Sequence, residues 1–214
     1  MKISTRKRVS REQSQARTRE RLLDAAGREV ARGGVMAASL RGICEAAGYS
    51  QGAFYSNFDS KDDLLLELMA RHMREETQAL RALIAASAAS DLDATLRRIA
   101  ERLAELSQTA EWSLLAVELQ LYAQRDATFA ARYDAAKAAY HAEFAAALDE
   151  LIQRYRLRPA LASLQIAIGL YALWCGFAVQ GTVSAAIPRG EMLLAFFRAV
   201  AGAPAQPTNS GVVA

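Results

Sequence analysis

Residues 46–65 read AAGYSQGAFYSNFDSKDDLL, with three aromatic rings crowded into Phe54-Tyr55-Ser56-Asn57-Phe58 and small residues on either side. Ser50 is a natural helix N-cap, so the stretch predicts a short helix over 51–58. At 100° per residue Phe54 and Phe58 fall together, the i, i+4 pair that seats a helix in a core. Gly52, Ala53 and Ser56 lie nearly opposite, and Tyr55 and Asn57 occupy the flanks. Such a helix brings its backbone close to a large partner while flanking groups reach around the edge, and its first N–H groups suit a phosphate.

The same punctuation continues on both sides. A helix opening at Ser39 ends at Gly48, and the turn Tyr49-Ser50 leads straight into the next helix. Two short helices joined this way have helix-turn-helix geometry, in which the second enters the DNA major groove; an ordinary hairpin of helices in a bundle has the same spacing. Upstream, a helix from about Ser14 to Arg32 carries Leu22, Leu23, Ala26 and Val30 on one face and stops at Gly33-Gly34. Downstream, Ser60 and Asp63 have the form of a capping box opening a helix through Leu64, Leu68, Met73, Leu80 and Ile84. Five more helices are expected near 92–107, 111–125, 127–155, 160–183 and 189–201. No segment has the alternation of a strand, so the fold class is all-α with about nine helices. The organisation reads as a basic arm (1–13), a helix-turn-helix domain (14–59), a larger helical domain (60–203) and a tail (204–214).

The 214 residues are 52% apolar, enough for a real core, and the net charge is only +3. That charge is uneven. Residues 1–63 hold 12 lysines and arginines against 8 acids, and the remainder holds 14 against 15. A basic N-terminal end beside a near-neutral body points to a polyanion partner at that end, or to a solubilising tail. Cys44 and Cys175 stand alone in apolar helical pattern, which fits a reducing, cytoplasmic setting. No apolar run follows the basic start, so no secretory signal is expected. Between Gln165 and Gln180 only 14 residues are uninterrupted by polar groups, too few for a bilayer span.

From Thr18 to Leu65 the chain reads TRERLLDAAGREVARGGVMAASLRGICEAAGYSQGAFYSNFDSKDDLL. This run resembles the N-terminal DNA-binding domain of the TetR family of transcriptional regulators. The likeness rests on Leu-Asp-Ala-Ala in the first helix, Ser-Leu-Arg-x-Ile opening the second, and Ala-Gly-Tyr-Ser-x-Gly-Ala-Phe-Tyr-x-x-Phe-x-Ser-Lys-x-x-Leu. Two departures are Glu29-Val30, where the family has a large apolar pair, and Ala38, where Thr is common. The resemblance implies a homodimeric, ligand-responsive repressor of a palindromic operator in double-stranded DNA. It places Arg41 at a base edge or phosphate, and Gln51, Gly52 and Ala53 facing bases. Ser39, Ser50, Tyr55, Ser56, Asn57 and Lys61 would hold the backbone and set register.

The larger domain offers two further expectations. On the 160–183 helix Ala162, Gln165, Gly169, Ala172 and Gly176 form a small stripe that, with Met192 and Phe196 of the last helix, would make a two-fold interface; close packing within one chain is the alternative. The 111–125 helix is apolar nearly all round and is expected to be buried. Trp112, Leu115, Glu118, Leu119 and Tyr122, together with Tyr140, Tyr171 and Trp174, would frame a cavity for a hydrophobic or aromatic effector. Glu118 would otherwise pair with Arg125 or Arg132. His141-Ala142-Glu143 lacks the Pro-Cys-x-x-Cys partner of zinc deaminases, and no phosphate loop or nucleophile elbow occurs, so no enzyme activity, metal or cofactor is expected. An activator, a ligand-independent DNA-binding factor and a helical protein–protein adaptor are the other readings of the chain.

Overall fold

The computed structural model describes residues 11–87, 91–108, 110–180 and 188–202, without the side chains of 103–113 and of Ala178. Nine helices are present among them: α1 (Arg11–Ala37), α2 (Leu40–Ala47), α3 (Gln51–Tyr55), α4 (Lys61–Ala86), α5 (Leu92–Gln108), α6 (Ala110–Ala123), α7 (Ala127–Tyr155), α8 (Ser163–Gln180) and α9 (Arg189–Ala201). Most of the basic arm and the tail from residue 203 lie outside the described residues, but Arg11, Glu12 and Gln13 already belong to α1.

Local chemistry explains the boundaries. Ser39 Oγ accepts from the Gly42 amide at 3.0 Å and Ser50 Oγ from that of Ala53 at 3.2 Å, so each hydroxyl satisfies a donor the first helical turn would leave unmade. Gly48 ends α2 in the left-handed region at φ 75°. The α3 helix is shorter than the expected span of 51–58. Beyond Tyr55 the chain tightens as the Asn57 amide turns to Phe54 O at 2.8 Å, yet the Phe58 amide still reaches Phe54 O at 2.9 Å and keeps both rings on one side. Ser60 Oγ accepts from the Asp63 amide at 3.1 Å and donates to its carboxylate at 2.7 Å, a reciprocal cap on α4.

Two cores follow along the long axis of α4. The first joins the head to the body: Leu22, Leu23, Val30, Val35, Ile43, Phe54 and Phe58 meet Leu64, Leu65 and Leu68 of α4, Leu115 and Leu119 of α6, and Phe129 and Tyr133 of α7. The second gathers Ile84, Leu96, Leu148, Leu151, Ile166, Leu194 and Phe197 from the far ends of α4, α5 and α7–α9. The α6 helix is not buried all round as its composition suggested. Leu114 and Leu121 are nearly half exposed, because the partners of α6 (chiefly α1, α7 and α8) leave that face uncovered.

Gly33-Gly34 does stop the regular part of α1. Gly34 has φ 85° and ψ 168°, a region essentially closed to other residues, and the chain then makes one further turn to Ala37. A Cβ on Gly34 would also lie 2.7 Å from Glu118 Oε2. Gly34→Ala should therefore cost about 1–3 kcal/mol in a urea or thermal melt. Gly33→Ala, at a helical backbone with only the Ala37 methyl 3.2 Å away, should change stability much less.

Candidate nucleic-acid interface and effector cavity

The head presents α3 on its outer surface. Phe54 is fully buried and Phe58 nearly so, while Ser50, Gln51, Gly52, Tyr55 and Ser56 are exposed and Ala53 partly so. The rings touch one another, with centroids 5.6 Å apart, and Tyr55 packs edge-on against Phe54 at 5.3 Å while keeping 58% of its surface open. The small face thus points out and the phenol stands at its edge. Arg41 is also exposed, its Nε bonded to Glu45 Oε1 at 2.8 Å one turn along α2. An exposed i, i+4 pair of this kind is weak, so the guanidinium is available to a stronger anion.

Other expected backbone-holding residues already have hydrogen-bond partners within the head. Asn57 Nδ2 donates to Ala53 O at 2.7 Å, closing the end of α3. Ser56 Oγ donates to Gly52 O at 2.9 Å. Lys61 Nζ donates to Val35 O at 2.8 Å, and burial pushes its pKa down. Its ammonium is held by the last turn of α1, after the break at Gly34. Part of the basic N-terminal charge is structural as well. Arg19 lies over the Phe58 ring at 4.2 Å, donates to Asn57 O and pairs with Glu67 at 3.3 Å, and Gln15 Nε2 donates to Ser56 O. Sequence reasoning missed these fasteners, because an Arg that stacks on a core ring and an Arg that waits for phosphate are spelled alike.

In the body, a cavity of about 170 Å³ opens between the two cores. Met73, Thr77 and Leu80 of α4, Leu96 and Ile99 of α5, Phe144 and Leu148 of α7, Leu170 of α8 and Phe197 of α9 are among its walls. Tyr140, Tyr171 and Trp174 line it as expected from the sequence. Leu115, Leu119 and Tyr122 do not, since they pack in or against the head-side core. Glu118 does not either, and it meets neither Arg125 nor Arg132. It takes the Val35 amide, while Arg132 holds Asp63. The Trp112 side chain lies outside those described. Of the interface stripe, Ala162 is exposed just before α8 beside Leu161, Gln165, Gly169 and Ala172 are exposed on α8 beside Leu164 and Ile168, Gly176 and Met192 are half-buried, and Phe196 is 47% exposed on α9.

The polar part of the cavity is His72, Glu76, Thr77 and Arg102. Their signal was a break in the apolar register of α4, legible only once α5 supplied Arg102. Arg102 Nη2 meets Glu76 Oε1 at 2.8 Å, and burial raises the Glu76 pKa against that pull. Burial, and then the charges of Arg102 and Arg71, push His72 down to about 4 from its usual 6.5, so it is neutral at physiological pH. Burial likewise raises the phenols of Tyr140 and Tyr171.

The His72 shift has a sign. Above pH 6.5 the imidazole is neutral whether the chain is folded or not. As pH falls from 6.5 toward 4 the unfolded chain takes up a proton that the fold refuses, and stability drops. The loss should approach about 3 kcal/mol at one pKa unit per 1.36 kcal/mol. His72→Gln should flatten this part of the stability-versus-pH curve, measured by urea unfolding between pH 7 and 4.

Comparison with known proteins agrees with this geometry. Residues 22–68 match the family described as bacterial regulatory proteins, tetR family. No curated protein matches the chain. Among solved structures, reduced E. coli NemR has 23% identity and a TM-score of 0.68, covering 88% of this chain and 100% of its own. FadR from Bacillus subtilis in complex with stearoyl-CoA has 18% identity and a TM-score of 0.63, over 83% and 96%. GusR of Salmonella enterica has 18% identity and a TM-score of 0.64, over 90% and 98%. Residues 22–68 thus carry a head of the tetR family of bacterial regulatory proteins, and the described helices share the fold of solved TetR-family regulators.

Proposed function

We propose that this regulator is a homodimeric repressor that sits on a palindromic operator and is released by a small, largely apolar effector. The observation that carries the DNA-facing half is the exposed small face of α3, held outward by two buried rings and flanked by Tyr55 and Arg41. In this reading Gln51, Gly52 and Ala53 face base edges, Arg41 leaves Glu45 for a guanine edge or a phosphate, and Ser39, Ser50 and Tyr55 hold the backbone. The exposed apolar face of α8 and α9, around Leu164, Ile168 and Phe196, supports pairing through that surface, which would set two heads on successive major grooves.

The cavity supports an effector of modest size. An engineered apolar cavity of about 150 Å³ holds benzene, so the volume here suits a ring-sized guest better than the long acyl chain carried by the FadR complex. Glu76 and Arg102 neutralise one another and His72 is uncharged, so the pocket favours a neutral molecule with one hydrogen-bonding group. A thiol-based switch has little support. Cys44 is buried in the head, and burial raises both thiols above their usual pKa, away from the reactive thiolate.

Selection of genomic fragments by the purified protein, followed by footprinting, tests this reading. The expected result is a palindrome with both half-sites on one face of the duplex. Salt-sensitive binding without a consensus would leave a nonspecific DNA-binding factor, and an absence of binding after extraction of bound ligands would end the DNA-reading assignment. On the recovered site, Tyr55→Ala should weaken operator and random duplex about equally. Arg41→Ala should narrow the gap between them by about 1–3 kcal/mol at matched salt.

A further inference from the structure

The last turn of α1, after the break at Gly34, is gripped from both sides by charges belonging to other helices. The Val35 amide donates to Glu118 Oε2 of α6, and the Val35 carbonyl accepts from Lys61 Nζ of α4 at 2.8 Å. Gly34 makes the grip possible: the carboxylate occupies the space where a side chain would begin. Val35 itself is buried in the head-side core and opens directly into the turn from which Ser39 caps α2. Hydrogen bonds to charged groups are about twice as strong as neutral ones, and the N–H and the C=O of Val35 each have one.

The two helices that supply the charges also wall the cavity. On α6, Ala116 is a wall residue two positions before Glu118. On α4, His72, Met73, Glu76 and Thr77 are wall residues, and Lys61 opens the same unbroken helix. The first turn of α4 has two further ties to the body, Tyr122 Oη to Asp62 at 3.3 Å and Arg132 to Asp63.

We propose that Glu118 and Lys61 are positioning residues that clamp the Val35 backbone on either side of its Cα, fix the angle of α2 and α3 against the body, and pass changes in the cavity wall to the DNA-reading surface. The inference rests on the reading of the cavity and the head given above. It assigns Glu118 to the junction between them and takes it out of the effector's contacts. Because the clamp bonds are backbone-directed, the charge and length of the side chain matter more than its packing.

Amide hydrogen exchange on the full chain tests the clamp with no effector in hand. Glu118→Gln keeps the shape and removes the charge. It should speed exchange at Val35 by about tenfold or more and raise it through α2 and α3, while α5 and α7–α9 keep wild-type protection. Arg81→Ala, which breaks an exposed pair with Glu150 on the body, should leave Val35 unchanged. For the link to the cavity, Ala116→Leu adds volume to the wall from α6, and Ile99→Phe does so from α5 should the first fail to fold. Either should shift Val35 exchange in the wild-type background and have little effect on it when Glu118 is Gln. A filling variant that leaves Val35 exchange unchanged, or shifts it equally in both backgrounds, would overturn the clamp. A chain that selects no DNA would instead overturn the functional reading, and the exchange cycle would still decide the clamp.

Discussion

The DNA-facing surface depends on the burial of Phe54 and Phe58. A helix of five residues has no stability of its own in water, because nucleation costs more than so few hydrogen bonds return. It exists here because both rings are fixed among Leu22, Leu23, Ile43, Leu64 and Leu65 in one core. Burying each ring contributes on the order of 1.5–3 kcal/mol, against about 1 kcal/mol for a cap such as Ser50. Arg19 adds to the grip from outside by lying over Phe58 while bonding the carbonyl beside it. With one side committed to the core, the opposite side is free to carry residues chosen for close approach, and Gly52, Ala53 and Ser56 are what the chain places there.

The long helix α4 then sets the distance between reading and sensing. From Lys61 to Thr77 a straight helix rises about 24 Å at roughly 1.5 Å per residue. Its first half packs in the head-side core through Leu64, Leu65 and Leu68, and its second half contributes Met73, Thr77 and Leu80 to the cavity and Ile84 to the far core. The cavity lies where the two cores do not quite meet. A guest there touches side chains of the same helix that begins at the head, so no separate relay is needed to bring the two sites into contact.

Much of this was legible because it is written in local chemistry. Ser39, Gly48, Ser50 and Ser60 each satisfy or end a specific set of backbone groups, and the helices they bound fall where those residues predict. The inward Phe54 and Phe58 and the exposed Tyr55 follow from an angle of 100° per residue. What the sequence hid are partners with no local signature. Glu118 looked like a pocket acid or half of an arginine pair, yet its partner is a backbone amide 83 residues away, and any residue type could have offered that N–H. Lys61 looked like a phosphate ligand for the same reason: a lysine at a helix start is disfavoured by the dipole unless something holds it, and the something is a carbonyl. The cavity residues His72, Glu76 and Arg102 come from two helices whose relative rotation no periodicity specifies. Periodicity also overstated α6, since Leu114 and Leu121 face outward.

The extent of the head-side core limits how the reading helices can move. Leu115, Leu119, Phe129 and Tyr133 of the body share that core with Phe54 and Phe58, so a head swinging free would expose several large side chains at about 1.5–3 kcal/mol each. A small slide of α1 and the first turns of α4 against α6 would instead exchange apolar contacts rather than lose them. Sliding of that kind is resisted least by side chains of the core, which have no direction, and most by hydrogen bonds, which do. Among the described residues, the directed bonds at this junction are those from the Val35 amide to Glu118, from Lys61 to the Val35 carbonyl, from Tyr122 to Asp62 and from Arg132 to Asp63, and the first of them lies on a helix that also walls the cavity.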